Sequence, residues 1–146
     1  MTCRAQLVNL HHYGFINVYA PSGSEKAHER GVFFARDLFH AMSLHSSLKW
    51  CLAGDFNCLL SVLDVENGIG YGQKKCSQLS DLLRIKKLDD IFRVLYPYRQ
   101  EFTFFRPNAA PSRLDRVYVC EELVSSTHSV QHIASLSDHC GVLVKY

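Results

Sequence analysis

Short apolar segments that end at glycine or proline recur along this chain, and they constrain its fold more than any other feature. The segment 15–20 ends at Pro21, and the segment 48–53 ends at Gly54. Runs of this length, bounded by turn residues, are typical of buried β-strands. Because 146 residues fit one domain and leave no room for a second, we expect these strands to share a single core.

Strand-like segments alternate with two helical patterns. The first helix is predicted to open at Ser22–Glu25, which has capping-box spacing, and to continue to about His45. The second spans about 77–87, and 89–95 can form a further helical turn. The remaining predicted strands are 4–10, 102–106, 113–120, 130–134 and 142–146. No G-x-G-x-x-G fingerprint is present, so the pattern favours an α/β sandwich over a Rossmann sheet.

Charge is distributed unevenly. The formal net charge is only +2, but residues 74–116 contain ten basic and five acidic side chains. A central basic stretch is compatible with a polyanionic partner. We interpret Lys86 and Lys87 within it as a solvated helix face.

Membrane and secreted classes receive no support from the sequence. No apolar stretch approaches the ~18 residues of a membrane-spanning helix, and the first fifteen residues lack a signal-peptide pattern. The six cysteines are scattered without a C-x-x-C pair, and no Cys/His grouping has zinc-finger spacing. We expect an intracellular protein, in nucleus or cytoplasm and not secreted, with free thiols.

Four segments place polar side chains where a predicted strand ends. Tyr19 precedes Pro21, although a strand tyrosine is more often plain core. Asp55 and Asn57 follow Gly54, and their spacing suits either a metal or water site or a local Asx turn.

The other two segments lie near the carboxy terminus. Asp115 stands between Arg113 and Arg116, as a surface ion pair or as the acid that orients a histidine. Asp138 and His139 precede the last strand, where aspartate can hold a divalent cation and histidine can donate a proton to a phosphate. Each signal is weak alone, and the ordered set of four is strong.

This ordered set resembles the endonuclease/exonuclease/phosphatase superfamily, and within it the apurinic-type endonuclease domain of LINE-type (non-LTR) retrotransposons. The similar segments are 17–21 (Asn-Val-Tyr-Ala-Pro), 54–58 (Gly-Asp-Phe-Asn-Cys) with Leu63-Asp64, 102–107 (Phe-Thr-Phe-Phe-Arg-Pro), 112–117 (Ser-Arg-Leu-Asp-Arg-Val) and 137–140 (Ser-Asp-His-Cys). Together they span most of the chain. The Ser112–Val117 segment favours the retrotransposon branch.

Two departures from the family pattern stand out. Ser22 occupies a position where relatives usually have asparagine. Nothing in residues 1–12 matches the asparagine and the Gln-Glu motif that carries the family's metal-binding glutamate. The resemblance therefore implies that residues 1–146 are a partial domain without its N-terminal strands.

The resemblance implies the carboxy-terminal part of a four-layered α/β sandwich, with two packed mixed β-sheets flanked by helices. It also implies hydrolysis of a DNA phosphodiester with Mg²⁺ or Mn²⁺ as cofactor and DNA as partner, without a membrane or a small-molecule cofactor. The implied catalytic residues are Tyr19, Asp55, Asn57, Asp115 and His139, with Asp138 as metal ligand and Arg113 and Arg116 as phosphate contacts.

Three functional hypotheses remain open at this point: a DNA endonuclease impaired by truncation, another phosphoesterase of the superfamily, and a non-catalytic nucleic-acid-binding fragment. Oligomeric state is left open. Phe104 or Phe105 can line a DNA cleft, and a place in the sheet core suits them equally well. If the endonuclease hypothesis holds, Tyr19, Asp55, Asn57, Asp115, Asp138 and His139 converge on one mouth of the fold, and Asp115 hydrogen-bonds His139 and raises its pKa.

Overall fold

A large mixed sheet, a small antiparallel sheet and short helices make up the fold. The computed structural model describes residues 4–146, without the side chain of Arg4, and Cys3 lies outside the described residues. The strands are β1 Arg4–Leu10, β2 Tyr13–Tyr19, β3 Lys49–Asp55, β4 Asp89–Asp90, β5 Asp115–Val119, β6 Ser129–Ile133 and β7 Gly141–Lys145. The helices are α1 Ala27–Val32, α2 Phe39–Ser43, α3 Tyr71–Lys74, α4 Ser77–Lys86, α5 Ile91–Leu95 and α6 Glu121–Ser126.

The large sheet has the strand order β1-β2-β3-β5-β4. Strands β2 and β3 are parallel, and the other neighbours are antiparallel. The parallel pair requires a crossover, and α1, a π-helical segment (Phe33–Leu38) and α2 supply it. The predicted capping box at Ser22–Glu25 is wrong, because helix α1 starts only at Ala27 and its N-cap, Lys26, makes no side-chain capping bond.

The two faces of the large sheet have separate cores. On one face, Ile16, Val18 and Leu52 pack with Phe34, Leu38 and Met42 of the crossover and with Leu79 and Leu82 of α4. On the other face, Cys51, Val117 and Val119 pack with Val130 of β6, and Val142 and Val144 of β7 border the same cluster. The layered α/β architecture that the sequence predicts is therefore confirmed, and the second sheet has two strands among the described residues.

Two local predictions differ from the structure. The segment 102–106 is not a regular strand; it makes single bridges from Phe104 to Ser112 and to His139. Helix α6 was not predicted, because its sequence Glu-Glu-Leu-Val-Ser-Ser is short and lies between two strands. The five described cysteines are free thiols, and none of the helices in the described part is long and apolar enough to cross a bilayer.

Candidate active site at the end of the large sheet

Strand register brings three of the predicted side chains together. Tyr19 of β2 pairs with Asp55 of β3, and Asp55 pairs with Asp115 of β5. Paired residues on neighbouring strands point to the same face of a sheet. Tyr19, Asp55 and Asp115 therefore form a row across three strands, on the face that carries Cys51, Val117 and the small sheet.

Gly54 permits the close approach of β2 and β3 beside this row. Its φ is +133°, and a Cβ built on it would lie 2.1 Å from the carbonyl oxygen of Val18. Only glycine accommodates both the backbone conformation and the contact. The close approach at Gly54 thus helps to determine the position of the adjacent Asp55 side chain.

Asn57 holds the Asp55 carboxylate in place. Its backbone N–H donates to Asp55 Oδ1 and its Nδ2 donates to Asp55 Oδ2, both at 2.9 Å. Nδ2 also donates to the carbonyl oxygen of Ala20 at 2.9 Å. The Asx-turn interpretation is therefore met in this segment, and it is compatible with a site role: Asn57 orients the carboxylate and keeps its own Oδ1 for other contacts.

His139 completes the group from the segment just before β7, a strand of the small sheet. Asp115 Oδ2 lies 2.8 Å from His139 Nδ1, so the predicted hydrogen bond is present. The His139 ring packs on Phe104 with a centroid distance of 4.8 Å. This contact gives Phe104 a clear place beside the site, while Phe105 is largely exposed.

Thr103 positions this region and was missed by the sequence reasoning. Its buried hydroxyl accepts from the backbone N–H groups of both Leu114 and Asp115 at 3.0 Å. Its carbonyl accepts from the N–H of Cys140 at 2.6 Å. Thr103 therefore ties the Asp115 segment to the His139 segment. A single threonine among the phenylalanines of segment 102–105 carries no sequence signal for such a role.

The acid cluster changes the titration of its members. Burial and the nearby Asp115 carboxylate raise the pKa of Asp55 to about 6. Partial burial opposes the charged form of His139, but the hydrogen bond and charge of Asp115 outweigh it and raise the His139 pKa. Asp55 can thus take up a proton near neutral pH, and His139 tends toward the imidazolium.

A cavity of about 540 Å³ opens over this group. Tyr19, Asp55, Asn57 and His139 line it, and Asp115 contributes through its hydrogen bond to His139. Its other lining residues are Ser22, Gly23, Ser24, Glu25, Arg30, Lys74, Phe104, Arg106, Ala109 and Leu114. Asp138 is exposed and is not among the lining residues, so the structure brings together five of the six predicted side chains.

The prediction that Arg113 and Arg116 contact DNA phosphates is wrong, because both side chains are buried with 1% exposure. Strand alternation explains Arg116: Asp115 points to the site, so its neighbour points to the opposite face. Arg113 donates to Asp64 Oδ1 and Asp90 Oδ2 at 2.8 and 2.6 Å. Arg116 donates to Asp64 Oδ2 at 3.3 Å.

Asp64 is the centre of this buried network. It is fully buried and also accepts from Arg93 at 2.8 Å. Burial alone opposes its charge, but Arg116 and Arg113 hold the pKa of Asp64 well below its usual range. The two arginines therefore brace the loop between β3 and α3 against β5, and their burial leaves no donor exposed to a nucleic acid.

The site fits part of a divalent metal centre. One ligand atom each from Asp55, Asp115 and His139 lies within 4.8 Å of the others. Hard cations such as Mg²⁺ favour oxygen ligands and take about six. The two carboxylates match this chemistry and fill about a third of such a shell, while the His139 ring directs Nδ1 to Asp115.

Comparison with known proteins decides the family. Residues 4–139 match the family model described as Endonuclease/Exonuclease/phosphatase family. The chain belongs to this family. The prediction of the superfamily from the ordered motifs is thereby confirmed.

Solved structures share the fold of this family member. A 3′-5′ exonuclease (NExo) from Neisseria meningitidis superposes with a TM-score of 0.81 at 20% identity, covering 98% of this chain and 64% of that one. A 3′ phosphatase NExo from Neisseria, bound to a product DNA hairpin, gives 0.84 at 19% identity with 98% and 64% covered. An AP endonuclease from Archaeoglobus fulgidus gives 0.80 at 17% identity with 98% and 65% covered. The chain thus spans slightly less than two thirds of the length of these structures.

Proposed function

We propose that this chain carries the hydrolytic centre of a metal-dependent DNA endonuclease of the LINE-type retrotransposon kind. The Asp115–His139 hydrogen bond of 2.8 Å, beside the Asp55 carboxylate, is the observation that carries the proposal. Support for DNA as the substrate comes from a similar structure described as bound to a product DNA hairpin. The Ser112–Val117 motif supports the retrotransposon type. A location inside the cell, in nucleus or cytoplasm, stays a prediction from the sequence.

Asp55 is the residue suited to the attacking water. Its pKa of about 6 lets the carboxylate accept a proton near neutral pH. The two hydrogen bonds from Asn57 fix its orientation, so its remaining lone pairs can hold a water in one direction. In this scheme Asn57 Oδ1 holds the same water from a second side.

His139 is the residue suited to the phosphate. Because Nδ1 faces Asp115, Nε2 is the nitrogen that would donate to a phosphate oxygen. The raised pKa of His139 favours the imidazolium, whose positive charge stabilises the negative charge that develops during cleavage. Asp115 keeps the ring in this orientation. Tyr19 lines the same cavity and would donate its phenol proton to a second phosphate oxygen.

Asp55 and Asp115 are the carboxylates that would hold Mg²⁺ or Mn²⁺, with exposed Asp138 beside the cluster as an outer carboxylate. When bound, such an ion would polarise the phosphate and lower the pKa of a water. That residues 1–146 are a partial domain of the family stays a prediction.

A second candidate is a phosphatase that acts on the 3′ end of DNA. A similar structure is named a 3′ phosphatase, and the same Asp-His pair can serve either reaction. The third candidate is a fragment that binds nucleic acid without cleaving it; the basic stretch 74–116 would serve its binding, and it would show no turnover.

Two assays on the same protein preparation separate these candidates. Nicking of supercoiled plasmid in Mg²⁺ or Mn²⁺ reports endonuclease activity, and phosphate release from a 3′-phosphorylated oligonucleotide reports phosphatase activity. We expect slow plasmid nicking that is strongly reduced in His139→Ala and lost in EDTA. Phosphate release without nicking would support the phosphatase instead, and the absence of both would support the non-catalytic fragment.

A further inference from the structure

The cavity over the candidate site carries two cations that no acid neutralises. Lys74, at the end of α3, and Arg106, in the loop after Phe104, both line it. Neither makes a side-chain hydrogen bond or ion pair with any residue that the structure describes. Glu25 and Asp55 line the same cavity without pairing to either cation.

Arg30, the third cation of the cavity, is committed to the protein. It is buried with 3% exposure, and its Nη1 donates to the carbonyl oxygens of Pro21 and Gly23 at 2.7 and 3.0 Å. These bonds shape the loop that forms one wall of the cavity. Arg30 thus builds the wall, and Lys74 and Arg106 keep free charges at the opening.

The free cations contrast with the buried ones of the same basic stretch. Arg113 donates to Asp64 and Asp90, and Arg116 donates to Asp64 and to two backbone carbonyl oxygens. Arg106 is exposed and Lys74 is half-buried. Lys74 and Arg106 can therefore bind a polyanion, whereas Arg113 and Arg116 could do so only by leaving a buried carboxylate unpaired.

We propose that Lys74 and Arg106 bind backbone phosphates of a nucleic acid on either side of the phosphate that faces His139. The cavity volume of about 540 Å³ lies in the range of pockets that hold a whole small molecule. It therefore accommodates a nucleotide unit and its phosphate, with Phe104 offering an apolar surface to the sugar or base. This inference rests on the proposed function for its ligand, DNA.

The salt dependence of DNA binding tests this proposal apart from catalysis. Binding of a fluorescent 20-base-pair duplex is measured by anisotropy in EDTA at a series of salt concentrations. Each phosphate contact contributes about 0.9 to the slope of log K against log salt. We expect the double variant Lys74→Ala/Arg106→Ala to reduce the magnitude of this negative slope by about 1.8. We also expect its affinity for the duplex at 0.1 M salt to fall by roughly tenfold or more.

Two matched variants complete the experiment. Lys75→Ala/Lys145→Ala removes the same charge from exposed positions outside the cavity, and we expect it to retain most of the wild-type slope. Lys74→Arg/Arg106→Lys retains both charges and is expected to retain the slope. Equal slopes for the cavity and control double variants would overturn the proposal, as would wild-type protein that binds duplex no better than the cavity variant.

The outcomes also separate this proposal from the proposed function. A reduced slope in a protein that never nicks plasmid would leave the phosphate contacts standing and remove the endonuclease. Plasmid nicking that requires His139, with an unchanged slope in the cavity variant, would support the endonuclease and overturn the phosphate contacts of Lys74 and Arg106.

Discussion

His139 shows how single contacts set the chemistry of this site. Its ring lies between the Asp115 carboxylate at 2.8 Å and the Phe104 ring at 4.8 Å. The first contact directs Nδ1 to the carboxylate and favours the imidazolium, and the second restricts the orientation of the ring. Both depend on Thr103, which joins the backbone segments of Asp115 and Cys140.

We predict that Asp115→Asn lowers the pKa of His139. The carboxylate stabilises the charged ring and so raises its pKa, whereas a neutral amide leaves the opposing effect of burial. The measurement is a pH titration of the His139 ring proton by NMR in metal-free protein. Asp138→Asn is the control, because that exposed carboxylate acts on the ring through its charge without a hydrogen bond and should lower the pKa less; a larger change in the control than in Asp115→Asn would contradict the prediction.

Sequence reasoning reached the residues of the site but not all of their surroundings. Asp55, Asn57 and His139 stand out because polar groups directly after apolar strands are visible as a pattern. The burial of Arg113 and Arg116 could not be read in the same way. It depends on Asp64, which is more than forty residues away in the chain and supplies the compensating charge.

At the scale of secondary-structure elements, strand register positions the site residues, and the buried ion pairs of Asp64 stabilise the sheet that carries them. The strands β2, β3 and β5 align Tyr19, Asp55 and Asp115. Most of these strands were predictable from their apolar runs. The region 102–106 was not, because its bonds are isolated bridges to Ser112 and His139 that no periodicity reveals.

We predict that Gly54→Ala strongly destabilises the fold. An added Cβ would lie 2.1 Å from the Val18 carbonyl oxygen, at a φ of +133° that other residues rarely adopt. The expected loss is on the order of 2–3 kcal/mol in the free energy of unfolding, measured by urea denaturation. Gly72→Ala is the matched control, because an added Cβ there meets no atom within 4 Å; equal stability of the two variants would refute the strain at Gly54.

The buried network predicts a stability defect for Asp64→Ala. Removing this carboxylate leaves Arg113 and Arg116 without their central partner in the interior. Breaking a buried ion pair in this way costs about 3–5 kcal/mol. Thermal unfolding measures the loss, with Asp81→Ala as a control because Asp81 only pairs with Arg84 on the surface. A melting temperature like that of the control would show that the network contributes little.

At the scale of the whole molecule, the site lies beside an incompletely covered sheet. Among the described strands β1 pairs only with β2, and its Leu7, Val8 and Leu10 are 44%, 54% and 55% exposed. An exposed edge of this kind favours association between chains. The fold class could be predicted from the alternation of strands and helices. The exposure of the β1 edge could not, because it depends on long-range contacts that a local sequence pattern does not reveal.

We predict that this chain alone turns over DNA slowly. Asp55 and Asp115 supply two carboxylate ligands, and a hard divalent cation takes about six. Water would fill the other positions, so metal affinity and rate should fall. The multiple-turnover nicking rate should lie well below ~1 s⁻¹, the lower end of common enzyme rates. A faster rate that disappears in His139→Ala would show that these ligands suffice.

A double-mutant cycle on plasmid nicking tests most directly whether Asp115 and His139 act as one hydrolytic unit. The rates of wild type, Asp115→Asn, His139→Ala and the double variant are measured with protein in excess over supercoiled plasmid, so that slow cleavage is visible. Residues that act as a unit have strongly non-additive effects. We expect the double variant to be no slower than His139→Ala alone, with Lys75→Ala as active as wild type. Multiplying losses, or nicking at the wild-type rate without His139, would contradict the assignment of this pair.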